Sequence, residues 1–131
     1  MGSFSDYCEN EILDHLFGKG AYAPPTIYVG LSASDPTDSG AGLSEPSGNG
    51  YARAETTASD WNVAVDGLLD NANTITLGPA TADWGTLTHF ALFDAASGGH
   101  LLVHGVLTLP KTVESGDMVR FANGELDVAL D

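Results

Sequence analysis

Two periods of apolar residues divide the chain. From Ser3 to Phe17 the spacing is helical: Tyr7, Cys8, Ile12 and Leu16 share a stripe, with Leu13 and Phe17 alongside. Ser3 is the expected cap, and Asp6 falls in the first turn, where negative charge suits the helix dipole. Gly18 and Gly20 supply the stop. After Pro24-Pro25 the pattern becomes that of strands. They are expected at 26–31, 51–56, 61–65 and 73–77, on both arms of the stretch 84–105, and at 118–121 and 126–130. Asp66-Gly67 reads as a hairpin turn after 61–65, Gly78-Pro79 closes 73–77, and 110–116 reads as a connection. In the last strand Leu126, Val128 and Leu130 should face one way, and Asp127, Ala129 and Asp131 the other.

Eight strand segments with one leading helix predict an all-β chain. The expected architecture is an antiparallel β-sandwich of jelly-roll type, in one domain over 1–131, with helix 3–17 covering a sheet face or one end. No helix falls between strands, which argues against a parallel α/β sheet. Residues 32–50 are rich in Ser, Asp, Gly and Pro and form a long loop. Loops of that length are commonly functional, so this one is the leading candidate for a partner contact.

The stretch 84–105 is the expected organising hairpin. Pairing Phe93 with His100 would set His89 opposite His104, Phe90 opposite Val103 and Leu92 opposite Leu101. Phe90, Leu92, Leu101 and Val103 then form a core side. His89, His100 and His104 mark the other side, which becomes a candidate assembly surface together with Asp35, Asp38 and Glu45 of the long loop.

Charge narrows the partners. Among 131 residues there are 4 Lys+Arg against 18 Asp+Glu, a formal net charge of −14. The cations are Lys19, Arg53, Lys111 and Arg120. Such a chain is unsuited to nucleic acid, whose binding depends on neutralised phosphates, and to an anionic membrane. High salt would screen its self-repulsion, and a halophilic setting is expected on that ground. Cys8 is the one cysteine, so no internal disulfide or Cys-based zinc site is available. No secretion signal or membrane span is expected.

Candidate chemistry is sparse. His100 and His104 would lie about 13 Å apart along a strand and cannot chelate together. A His89/His104 pair would still need a third ligand for zinc or copper, and none is evident. Asp35, Asp38 and Glu45 lack the ligand spacing of an EF-hand calcium loop. There is no Gly-x-Ser-x-Gly elbow and no phosphate-binding Gly loop with Lys. No cofactor and no catalytic residue is expected. Trp61, Trp84, Tyr22 and Tyr51 fit either a sugar platform or the core, and core is the expectation.

Phe4-Ser5-Asp6-Tyr7, Tyr28-Val29-Gly30-Leu31, 47–53, 80–86 and above all Thr88-His89-Phe90 through Phe93-Asp94-Ala95-Ala96-Ser97-Gly98-Gly99 resemble a family of small tailed-phage virion proteins. These are often labelled tail-fibre or minor structural proteins, and the resemblance covers nearly the whole chain. It implies a non-enzymatic structural role, virion localisation, and other virion proteins as partners. His100 and His104 depart from the pattern, and the acidic balance suggests a virus of a halophilic host. The expectation is a capsid-decorating, turret-like protein forming a symmetric homo-oligomer, trimer or pentamer. The alternatives are a tail or fibre component, and a receptor module binding host glycans.

Overall fold

The computed structural model describes residues 2–130, so the orientation expected of Asp131 falls outside it. The described residues form nine strands and one α-helix: β1 (Gly2–Phe4), α1 (Asp6–Leu16), β2 (Tyr28–Ser32), β3 (Ala54–Glu55), β4 (Leu68–Asp70), β5 (Ile75–Leu77), β6 (Gly85–Phe93), β7 (Leu101–Val113), β8 (Val119–Phe121) and β9 (Asp127–Ala129). A curled seven-stranded sheet runs β3-β2-β6-β7-β1-β9-β4, and β5-β8 make a separate pair. Every pairing is antiparallel except β1 with β9. The fold is all-β and sandwich-like, with the strands divided seven and two.

The helix starts later than the apolar stripe implies. Ser3 lies in β1, opposite His104. Ser5 is the cap: its Oγ accepts from the Cys8 N–H and donates to the Leu101 carbonyl, while its own N–H donates to the Leu102 carbonyl. One residue therefore both starts the helix and fastens it to β7. Cys8 is buried beneath the helix, as expected of an apolar-stripe thiol.

The core lies on one face of the large sheet. Val29 and Leu31 from β2, Phe90 and Leu92 from β6, and Val103 from β7 meet Ile75, Leu77, Val119 and Phe121 of the small sheet. Two glycines make room for the Phe90 ring. A Cβ on Gly105 would fall 2.6 Å from Phe90 Cζ, and one on Gly2 would fall 2.8 Å from it. Leu126 and Val128 are buried as the alternation required, whereas Leu130 is exposed.

The central hairpin forms, but not in the expected register. Ala91 lies opposite His104, and His89 opposite Val106. The Asp94 carboxylate is the reason. Its Oδ1 accepts the His100 N–H at 2.7 Å and its Oδ2 meets His100 Nδ1 at 3.0 Å. His100 is thereby held in the turn, and Leu101 takes the place opposite Phe93. An irregularity follows before Leu92 pairs with Val103. Leu102 consequently joins the core and Leu101 does not. The shift at Ala91 and His89 is two residues, so those side chains keep their expected faces.

The expected connection 110–116 is also partly strand, because β7 runs on to Val113. A second irregularity, between the Leu87–Lys111 and His89–Val106 pairs, spans Pro110, which has no N–H to give a ladder. The Asp66-Gly67 turn is as expected. Both residues have positive φ (54° and 77°), and Val65 and Leu68 exchange backbone hydrogen bonds across it. The segment 61–65 makes isolated bridges at Trp61 and Val65, and the fuller strand is its unexpected partner β4.

Candidate interaction surface

The face of the large sheet opposite the core carries Gly30, Ala91, Phe93 and His104, and residues 32–50 fold back over it. The loop is held at several places. The Ser32 Oγ accepts from the Ser44 N–H, and Ala33 N–H donates to the Ser44 carbonyl, closing the loop at its base. The Asp38 carbonyl accepts the Asp6 N–H at the start of α1. His104 reaches up from β7, with Nε2 at 2.8 Å from Asp38 Oδ1 and Nδ1 at 3.8 Å from Asp35 Oδ1. Its side chain is only 12% exposed.

A buried ion pair anchors the other end of this face. Arg53 Nη2 donates to Glu45 Oε1 at 2.6 Å and its Nε to Glu45 Oε2 at 3.0 Å. Its Nη1 donates to the carbonyls of Ala95 and Gly98 in the hairpin turn. The guanidinium lies 3.4 Å from the centre of the Phe93 ring. Tyr51 completes the cluster: its hydroxyl donates to Glu45 Oε2 at 2.6 Å and accepts the Leu31 N–H. Burial, then the bond to Glu45, pushes that phenol far up. Gly30 is required here, since a Cβ would sit 2.8 Å from Tyr51 Oη.

The expected surface residues therefore separate into four settings. His104, Asp35 and Asp38 come together. The two carboxylates address opposite ring nitrogens, so the three donors do not converge on one point. Glu45 belongs to the Arg53 cluster. His100 pairs with Asp94 and stacks on Tyr7 of α1, with ring centres 3.9 Å apart. Burial pushes the Asp94 carboxyl up, and the hydrogen bonds from His100 outweigh it, leaving it below its ordinary value. His89 stands apart, with Nδ1 on Thr88 Oγ1. Among the described residues no group of three or more His, Cys, Asp or Glu is placed to hold a metal ion.

The aromatic residues are mostly structural. Trp84 is buried, donates to the Asn49 carbonyl and meets Tyr51 edge-on. Trp61 donates to Thr56 Oγ1 and packs against the core. Burial raises the Tyr22 hydroxyl to about 12.

The core side has an opening that the sequence reading missed. At one end of the curled sheet, Leu92, Val103, Phe4 and Val128 form the floor of an apolar cavity of about 540 Å³. Val63, Leu68 and Leu130 line its rim and are exposed, Val63 to 85%. A second exposed apolar group is the last turn of α1, where Leu13, Leu16 and Phe17 fall at three- and four-residue spacing on one side. The missed signal was the apolar run Val63-Ala64-Val65 leading into the Asp66-Gly67 turn. A hairpin tip exposed to water has no reason to be apolar on that many positions. Arg53 was also missed, although a rare cation in so acidic a chain was a pointer to a buried partner.

A family model described as podophage GP4 fiber I protein gp80 matches residues 3–129. Comparison with curated proteins gives no match.

Proposed function

The chain belongs to the podophage GP4 fiber I protein gp80 family and is a virion structural protein of a tailed phage; on that premise we propose that it is a fibre subunit working by assembly and not by catalysis. The observation that carries this reading is the family match across 3–129, which takes in the helix and all of the strands but the first residue of β1. The geometry agrees with it. His104 with Asp38 and Arg53 with Glu45 hold loop 32–50 to its own sheet, and His100 is engaged with Asp94 in the hairpin turn. Exposed apolar groups remain at the cavity rim and the helix end.

The family description favours a fibre over the capsid-decorating, turret-like position expected from sequence. In this reading the partners are other virion proteins and further copies of the chain, arranged about a three-fold or five-fold axis. A net charge of −14 makes close packing of copies dependent on screening, so assembly belongs in high salt, as in a halophilic setting. Host-glycan binding has less support, because Trp84 is buried and Trp61 is partly so. Electron microscopy of virions labelled with an antibody to this chain tests the position. Label along tail fibres is expected, whereas label confined to the capsid shell overturns the fibre reading.

A further inference from the structure

Two turns of this chain share a backbone shape and differ in their surroundings. At Asn49-Gly50 the φ angles are 55° and 77°, and the Tyr51 N–H donates to the Gly48 carbonyl across the turn. At Asp66-Gly67 they are 54° and 77°, and the Leu68 N–H donates to the Val65 carbonyl. These two pairs and Asn123-Gly124 hold the same latent chemistry. A glycine nitrogen has no Cβ beside it to hinder attack on the side-chain carbonyl carbon of the residue before. Attack closes a succinimide ring, with ammonia leaving from asparagine and water from aspartic acid. Water then reopens the ring. Opening at the main-chain carbonyl leaves the backbone running through the side chain, as isoaspartate.

The fold treats the three pairs differently. Asn49 Nδ2 donates to the Asp83 carbonyl at 2.9 Å, and the Asn49 carbonyl accepts from the Thr81 N–H and from Trp84 Nε1. That side chain is fixed away from the next nitrogen. At Asn123 the nitrogen is the engaged partner, since the Gly124 N–H donates to the Asn71 carbonyl at 2.9 Å. Asp66-Gly67 has neither restraint. Among the described residues neither the Asp66 carboxyl nor the Gly67 N–H makes a hydrogen bond, and both residues are exposed. We propose that Asp66 is a site of spontaneous covalent modification, passing through a succinimide with the Gly67 nitrogen to isoaspartate. The nitrogen forms a bond to Cγ, its proton leaves with the carboxyl hydroxyl as water, and the water that reopens the ring restores the composition. This goes beyond the assembly reading and does not rest on it. The product has one more main-chain atom in a turn without slack: the Gly67 carbonyl accepts the Leu130 N–H, and a Cβ on Gly67 would fall 2.8 Å from the Leu130 carbonyl oxygen. Gly67 and Leu68 line the apolar cavity, so the lengthened turn disturbs its rim.

Ageing of the folded protein in mildly acidic buffer, well below its melting temperature, tests the assignment. Digestion and electron-transfer fragmentation then distinguish isoaspartate from aspartate at each position. Isoaspartate should build up at 66, with Asn49 and Asn123 slowed about tenfold or more relative to the same chain in denaturant, where nothing restrains them. Asp66→Asn keeps an Asn-Gly turn and gives a second readout, the mass change of deamidation. In the folded variant position 66 should deamidate about tenfold or more faster than Asn49. Isoaspartate at 49 or 123 with none at 66, or a variant whose Asn at 66 lasts as long as Asn49, overturns the proposal.

Discussion

The two faces of the large sheet solve the same problem in opposite ways. The outer face is polar and closed: loop 32–50 lies on it, and Arg53, Glu45, Tyr51, His104 and Asp38 satisfy one another beneath or within that cover. The core face is apolar and, at one end, open: Leu92 and Val103 form a floor whose rim residues face water. The difference teaches that chemically conspicuous residues need not be the available ones. Polar groups find partners within a single chain because a few directed hydrogen bonds suffice. An apolar opening is filled only by bulk, which this chain does not supply there.

The largest effect should come from cutting the closed face at its buried ion pair. Arg53→Ala leaves the Glu45 carboxylate with only the Tyr51 hydroxyl and frees the Ala95 and Gly98 carbonyls. Removing one partner of a buried pair costs about 3–5 kcal/mol, read as a loss of stability in urea titration. A loss no greater than that of an exposed substitution would mean that loop 32–50 contributes little to the fold. Gly30→Ala should cost about 1–3 kcal/mol by overpacking, since its Cβ would press on Tyr51, Glu45 and Phe93 without removing any hydrogen-bonding group. Comparison of the two variants separates the charge of the cluster from its packing.

The smallest effect concerns pH. Against the opposing effect of burial, the hydrogen bonds from His100 hold the Asp94 carboxyl below its ordinary value in the folded chain, so its ionised form stabilises the fold. That contribution is fully present above the unfolded value and is lost as pH falls through the lowered folded one. NMR titration should give Asp94 a midpoint below that of an unperturbed aspartate, with the His100 amide resonance moving in step. A midpoint at or above that of an unperturbed aspartate would remove the account given for the hairpin register.

That register shows where sequence reasoning stops. The faces of Phe90, Leu92, His89 and His104 were legible because alternation survives a two-residue slip. Their partners were not, because one side-chain carboxylate, Asp94, decided how the turn would hold His100. The Asp66-Gly67 hairpin was legible for the opposite reason: its geometry is local and set by two residues. Strand β1 was invisible, since Gly2–Phe4 is too short to show alternation and its neighbours are remote in sequence. The same distance hid the closed face. Nothing near Glu45 in the sequence announces that Asp38 will meet His104 or that Arg53 will reach Gly98.

The placement of β1 also sets an order in time. Gly2 pairs with Gly105 on one side and Val128 on the other, so its neighbours lie more than a hundred residues further along the chain. Closing so long a loop is slow, and the join between β7 and β9 cannot form until β1 fills it. The cavity floor includes Phe4 from β1, Val103 from β7 and Val128 from β9, so it is completed only at that late moment. The chain therefore has no finished apolar cavity until its own sheet is closed.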